Sequence, residues 1–167
     1  KKFAFLPSKP AILKVFAGGA PFGGAGNFVG ENPDESASIS YYMSKRHTFG
    51  KMNIEVYGPD GALIRQLPAG KSAGINIVPL PTRLDKPKAA PTNNRMALGG
   101  SFFGPNLPEG TYTVKIIKGK ETFTSTVELQ PDPKSLYSAE DRKKNSVTLM
   151  KLYNMQEQVG HQYYAAE

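Results

Sequence analysis

The chain has 167 residues, which suits one domain with an appendage, and its 17 glycines and 14 prolines favour turns and short strands over a helical bundle. With 39% hydrophobic and 21% charged residues, it is expected to fold rather than to stay disordered. It has no cysteine, which excludes disulfides, thiol catalysis and cysteine-bound metals, and no apolar run of about 18 residues that would span a membrane.

The formal net charge is +7, and it is carried by small groups of basic residues scattered along the chain. Nucleic-acid binding usually needs a concentrated basic stripe or a reading motif. The sequence has neither, so we interpret the charge as a solvated surface and expect no nucleic-acid partner. The chain begins Lys1-Lys2-Phe3 without a signal peptide, which indicates a mature or excised fragment of a longer protein. The other basic groups are Lys45-Arg46, Arg83–Lys88 and Arg142–Lys144.

The first predicted strands are short. Ala11–Phe16 is apolar and predicts a strand, and Ala17–Pro33 is a glycine-rich loop. Ser36–Met43 alternates between apolar residues and serines, which is the period of two that is typical of a half-buried antiparallel strand. The residues predicted to face inward are Ala37, Ile39, Tyr41 and Met43.

A hairpin follows, and a further strand comes after it. Lys51–Tyr57 and Ala62–Leu67 flank Gly58-Pro59-Asp60-Gly61, a turn in which proline presets one φ angle and glycine accepts a positive one. Gly74–Leu80 predicts the further strand. Arg83–Pro105 is a long, proline-containing connection, which either is disordered in part or covers a sheet edge.

The clearest landmark is the hairpin from Pro108 to Leu129. Its two strands, Thr111–Ile117 and Glu121–Leu129, are joined by a turn at Gly119. Six or seven short strands without a βαβ alternation predict an all-β, immunoglobulin-like antiparallel β-sandwich. Tyr112, Val114, Ile116, Phe123, Val127 and Leu129 are predicted to face inward, and Thr122, Thr124 and Thr126 outward.

An appended C-terminal α-helix is predicted after Pro131-Asp132-Pro133. Ser138 and Asp141 form a capping box, and the segment from there to about Tyr163 contains no proline. Its apolar stripe must pack on something. The body of the domain, a neighbouring domain and a second subunit, which would make a homodimer, are all candidates. The stripe consists of Leu149, Leu152, Gln156, Val159 and Tyr163.

No catalytic or cofactor-binding set stands out. Gly24–Gly30 looks like a phosphate loop, but a strand rather than a helix follows it, so we interpret it as an ordinary loop. His47 and His161 lie in different regions without partners that would make a metal site or a triad, and both are predicted to be surface residues. We therefore expect no enzyme, no cofactor and no metal. An acidic cluster could offer oxygens to calcium, but its spacing matches no known loop: Glu31, Asp34 and Glu35.

Two aromatic pairs are the candidates for stacking on a sugar. One member of Tyr41-Tyr42 must be in the core of an alternating strand, which leaves Tyr42 as the candidate. Phe102 and Phe103 follow two glycines and are expected to anchor the long connection. Packing is the favoured interpretation of all three rings, and the absence of tryptophan weakens the carbohydrate interpretation further.

The order of motifs resembles a known family, the immunoglobulin-like or fibronectin-like module that follows the β-propeller in bacterial sialidase-type and sortilin-type repeat proteins. The resemblance runs from about Asn32 to Val159, and the chain departs from it between Asn76 and Thr82, where the family usually has a Trp-Asp pair. The matching pieces are Asn32-Pro33, Ala37 with Ile39 and Tyr41-Tyr42, Val56-Tyr57 through Asp60-Gly61 to Ile64-Arg65 and Leu67, Gly74, Pro108 with Gly110, Tyr112 and Val114, Asp132-Pro133-Lys134, and the Ser138 helix.

The resemblance implies an accessory module, because in such proteins the propeller would carry any ligand site. We therefore expect a non-catalytic structural or interaction module of a larger, exported bacterial protein, periplasmic or extracellular, whose partner is a preceding β-propeller domain or another protein. A carbohydrate-binding module is the alternative. The predicted organisation is an N-terminal strand and linker (residues 1–30), a sandwich (31–133) and a helix (134–167).

Overall fold

The computed structural model describes residues 2–14, 36–90 and 103–166. These residues are mostly β, with two sheets and one C-terminal helix, which fits the predicted all-β sandwich with an appended helix. The strands are β1 (Phe3–Phe5), β2 (Ala11–Leu13), β3 (Ser36–Met43), β4 (Met52–Tyr57), β5 (Leu63–Pro68), β6 (Gly74–Pro81), β7 (Gly110–Lys118) and β8 (Glu121–Pro131), and the helix is α1 (Ala139–Ala166).

The chain divides into two compact units. The strand unit comprises Lys1–Leu80 and Gly110–Pro133, and the helical unit comprises Pro81–Glu109 and Lys134–Glu167. The strands make a three-stranded sheet in the order β1-β3-β6 and a five-stranded sheet in the order β2-β8-β7-β4-β5. The pairs β1–β3, β4–β5, β4–β7 and β7–β8 are antiparallel, whereas β2 runs parallel to β8.

Each sheet turns one face inward, as the alternation predicts. The predicted inward residues of β3 and β7 are buried, and Phe123 on β8 is half-buried. The ring of Phe3 stacks on the ring of Phe123, with centroids 3.9 Å apart, and so joins the two sheets. The core of the strand unit consists of Ala37, Ile39, Tyr41, Met43, Met52, Ile54, Val56, Val78, Leu80, Tyr112, Val114, Ile116, Val127 and Leu129.

Both predicted hairpins are confirmed. Gly61 and Gly119 have φ angles of +80° and +61°, in the left-handed region that glycine adopts without a Cβ clash. In the second hairpin Lys118 pairs with Glu121, which leaves a two-residue turn between the strands. The outward threonines 122, 124 and 126 are exposed, as predicted.

Strand β6 buries a polar residue, Asn76, where an apolar one would be ordinary. The Asn76 side chain accepts a hydrogen bond from the Ser72 amide (3.2 Å) and donates to the Ser72 carbonyl (2.9 Å), so its burial is compensated. The alternation then leaves Ile75 and Ile77 exposed at 64% and 65%. β6 is an edge strand, which is where prolines such as Pro79 are tolerated because they cannot donate to the ladder.

In the helical unit, α1 begins at the predicted cap. The Asp141 amide donates to the Ser138 hydroxyl (3.1 Å), which satisfies one of the unpaired N–H groups of the first turn. At the same end the guanidinium of Arg142 forms an ion pair with Glu109 (3.0 Å) and donates to the Tyr137 carbonyl (2.6 Å). These contacts fix the first turn of the helix.

A strap, residues 82–90, lies on the C-terminal half of α1. The Lys88 amide donates to the carboxylate of Glu157, and the Tyr164 hydroxyl donates to the Ala89 carbonyl (3.4 Å). Gly160 permits this approach, because a Cβ at that position would overlap the Lys88 carbonyl oxygen. Of the long connection that was predicted to be disordered or to cover a sheet edge, Lys88 and Ala89 thus contact the helix.

Candidate interaction surfaces

The apolar stripe of α1 is exposed. Leu149, Leu152, Val159 and Tyr163 expose between 40% and 58% of their surface, and within the part of the helix that is described only Gly160 is buried. The half-buried positions lie on an adjacent face, at Ser146, Met150, Tyr153, Gln156 and Glu157. The helix therefore turns its glycine toward its own chain and leaves four large apolar side chains of the predicted stripe largely in solvent.

The stripe repeats at alternating steps of three and four residues from Leu149 to Tyr163. This spacing is that of the a and d positions of a heptad, which meet a second helix or an apolar groove. Gln156 is the polar member of the series and is half-buried. The surface can therefore bury apolar area against a partner along about four turns.

Two of the three candidate stacking rings, Tyr42 and Phe103, are described, and they belong to different compact units. Tyr42 is 38% exposed on the outer face of the three-stranded sheet, opposite Ala4 in the register. Phe103 is 72% exposed but lies outside the strands, in the helical unit. Phe102 lies outside the described residues. On the described part of the three-stranded sheet, Tyr42 is therefore the candidate ring for a sugar-binding face.

The outer face of the five-stranded sheet carries a polar cluster that the sequence interpretation did not identify. The Tyr57 hydroxyl donates to Glu55 (2.6 Å), and Gln66 donates to the other oxygen of the same carboxylate (3.4 Å). That hydrogen bond, with smaller effects of burial and of the Glu55 charge, raises the pKa of Tyr57. The Lys115 ammonium lies 4.4 Å from the centre of the Tyr57 ring and covers one face of it, so that face is closed to a stacking sugar.

The two histidines, His47 and His161, differ in how far they are exposed to solvent. His161 is exposed, as predicted, and lies 3.7 Å from Glu157. His47 is half-buried, and among the described residues its Nε2 atom has no hydrogen-bond partner, so it is less exposed than His161. The loop Gly24–Gly30 and the acidic residues Glu31, Asp34 and Glu35 lie outside the described residues.

The described residues contain neither a metal-binding cluster nor a membrane-spanning helix. Over residues 2–14, 36–90 and 103–166, no group of three or more His, Cys, Asp or Glu side chains is placed to hold a metal ion. Helix α1, the helix in this part of the chain, has no stretch apolar enough to cross a bilayer.

A second feature that the sequence interpretation missed is a basic end of the strand unit. Lys45-Arg46 was treated as one small scattered group among several, but the fold brings other basic residues beside it. We define the basic end as residue 2 together with residues 44–51, 69–73 and 118–121. One signal in the sequence could have indicated this end: lysines or arginines recur in several of the connections between successive strands.

Comparison with known proteins gives no relative of this chain. No family model matches it, and neither does any curated protein or solved structure. The function must therefore be argued from the fold and the surfaces.

Proposed function

We propose that the chain is a non-catalytic accessory module of a larger, exported bacterial protein, and that it binds its neighbour through the stripe of α1. The observation that carries the proposal is the exposure of Leu149, Leu152, Val159 and Tyr163 at heptad spacing. Apolar surface contributes roughly 25 cal/mol for each Å² removed from water, so a helix face of this kind gains stability when a partner covers it. The occupant is the preceding β-propeller domain or another protein.

The strand order supports an immunoglobulin-like sandwich. If β1, β3, β4, β5, β6, β7 and β8 are taken in order as A, B, C, C′, E, F and G, the sheets are A-B-E and G-F-C-C′. Immunoglobulin-type domains divide their strands in this way, and the variable type adds C′ to the C-F-G sheet. β2 adds a short strand parallel to β8, on the edge of the larger sheet. Such modules are found as cell-surface domains with many partners, so the fold supports the class of function and not its detail.

Binding calorimetry tests the proposal. The segment that precedes Lys1 in the full-length protein is produced as a separate folded fragment and titrated with this chain. We expect saturable binding that Leu152→Glu together with Val159→Glu abolishes. The matched control is Val147→Glu, which places the same charge on an exposed apolar residue outside the stripe.

Two results would contradict this proposal. One is the absence of binding between two folded fragments, and the other is binding that the Val147→Glu control weakens as much as the stripe variant does. If the chain alone forms a concentration-dependent dimer that Leu152→Glu dissociates, the occupant of the stripe is a second copy of the chain rather than a neighbouring domain.

Carbohydrate binding is the second candidate, and the exposure of Tyr42 on an outer sheet face is the observation that favours it. Stacking on a sugar needs an exposed ring, which Tyr42 offers on the same face of β3 as Ser38 and Ser40. A glycan array should then show binding that Tyr42→Ala removes. A silent array with folded protein would eliminate this candidate.

A further inference from the structure

Backbone hydrogen bonds hold the segments of the basic end together. The Ser44 amide donates to the Lys2 carbonyl (3.0 Å), and the His47 amide donates to the Lys71 carbonyl (2.9 Å). Met52 on β4 pairs with Lys118 on β7, so the turn at Gly119 lies at the same end of the sheet as the β3–β4 connection. Cations that are far apart in sequence therefore converge on one end of the strand unit.

The charge at this end is concentrated. Its 18 residues hold seven of the chain's 21 lysines and arginines and one of its 14 carboxylate residues, which gives a local net charge of +6. That carboxylate belongs to Glu121, which pairs with Lys118 at 3.3 Å. The opposite end of the strand unit is mixed in charge, with Asp60, Asp132 and Lys14. The cations of the basic end are Lys2, Lys45, Arg46, Lys51, Lys71, Lys118 and Lys120.

A single aromatic ring projects from the basic end. Phe49 is 87% exposed, in the β3–β4 connection between Arg46 and Lys51. Gly50 follows Phe49 and has a φ angle of +94°. The Lys71 ammonium donates a hydrogen bond to the Gly50 carbonyl (3.2 Å). The Lys71 side chain therefore holds the backbone of the residue that follows the exposed Phe49 ring.

We propose that the basic end binds the surface of an anionic phospholipid membrane, with Phe49 inserted at the level of the headgroups. Groups of four to eight basic residues are what attract proteins to such a surface, at about 1 kcal/mol per cation. Electrostatic attraction and one inserted apolar side chain are two weak signals, which together hold a protein at a membrane more firmly than either signal alone. This association involves no membrane-spanning segment.

The composition of this end favours a lipid surface over a nucleic acid. Six of the seven cations are lysines, which act as point charges toward a charged surface, whereas bidentate nucleic-acid recognition favours the planar fork of arginine. Single-stranded nucleic acids stack successive bases on several aromatic rings along a groove. Phe49 is the one exposed aromatic side chain among the described residues of this end, and it suits a broad surface better than a strand.

Vesicle co-sedimentation tests the proposal. The chain is mixed with vesicles of pure phosphatidylcholine and with vesicles that contain about 30 mol% phosphatidylserine, at low and at physiological salt. Replacing Lys45, Arg46 and Lys120 together with glutamine should weaken binding to the anionic vesicles about a hundred-fold, since each cation contributes about five-fold. The matched control replaces Lys143, Lys144 and Lys151 of α1 with glutamine and should bind nearly as the unmodified chain does.

Phe49 allows an independent measurement because the chain has no tryptophan. Phe49→Trp provides the single tryptophan of the chain, which can be excited selectively over the eight tyrosines, and its emission should shift to shorter wavelength with anionic vesicles and stay unchanged with neutral ones. The proposal is overturned if folded protein does not bind the anionic vesicles. It is also overturned if the two triple variants weaken binding equally, or if the chain binds single-stranded oligonucleotides in preference to the vesicles. None of these results depends on whether the stripe of α1 binds a partner.

Discussion

Tyr41 and Tyr42 are neighbours in β3 with opposite environments. Tyr41 is fully buried and its hydroxyl donates to the Gly70 carbonyl (2.6 Å), whereas Tyr42 points out of the sheet and is 38% exposed. The alternation of Ser36–Met43 predicts which of the two faces inward, because the side-chain period of a strand is two. The partner of the hydroxyl could not be predicted, since Gly70 lies 29 residues away in a loop.

Removing the two hydroxyls should therefore have different effects. Tyr41→Phe should lower the free energy of unfolding by about 1 kcal/mol, because the Gly70 carbonyl loses its partner while the ring is kept. Tyr42→Phe is the control and should change it by less than about 0.5 kcal/mol. Urea unfolding of both variants measures the difference, and equal effects would contradict the assigned hydrogen bond.

Tyr112 predicts how stability depends on alkaline pH. Burial, with a smaller effect of the Asp60 charge, raises its pKa from 10.0 to about 12. Burial also raises the pKa of Tyr41, against the opposing effect of its hydrogen bond to Gly70. Since the folded state favours the neutral phenol, this contribution is fully present below pH 10 and is lost as the pH rises toward 12. Urea unfolding across that window should show a smaller loss of stability for Tyr112→Phe than for the unmodified chain. An identical loss of stability in Tyr112→Phe and in the unmodified chain would contradict this role of Tyr112.

At the scale of elements, local pattern predicted the long strands and the position of β2, but it missed β1. Both hairpins and α1 were predicted because their periods and turn residues repeat over many residues. β1 has three residues, too few to show a period, and only its pairing with β3 and the stacking of Phe3 on Phe123 define it. The stripe of α1 was predicted as well. The contact between Gly160 and the strap was not predicted, because it joins residues that lie about 70 positions apart in the sequence.

Gly160→Ala tests the contact between the strap and α1. In an unobstructed helix interior alanine is favoured over glycine by about 1 kcal/mol. Here the added Cβ would overlap the Lys88 carbonyl, so we expect net destabilisation and faster hydrogen exchange at the Lys88 amide. Asn154→Ala, on an exposed part of α1, is the control and should stabilise the helix slightly. A stabilising Gly160→Ala would show that the strap does not lie on the helix at this position.

At the scale of the whole chain, the order of the strands determines which surface residues come together. Lys2, Lys71 and Lys120 looked scattered because convergence of turns depends on sheet order, which local patterns do not specify. The same holds for Glu55, Tyr57 and Lys115, which meet across β4 and β7. The sequence therefore predicted the class of fold and the stripe of α1, but not the surfaces that neighbouring strands build jointly.

We propose that a partner covers the stripe of α1 in a larger protein to which the chain belongs. Hydrogen–deuterium exchange of α1, measured in this chain alone and in that larger protein, tests whether the stripe is covered. The amides from Leu149 to Tyr163 should exchange more slowly in the larger protein, because a covered helix opens less often. Leu152→Glu with Val159→Glu should remove that difference. Equal exchange of this segment in the two proteins would contradict the claim.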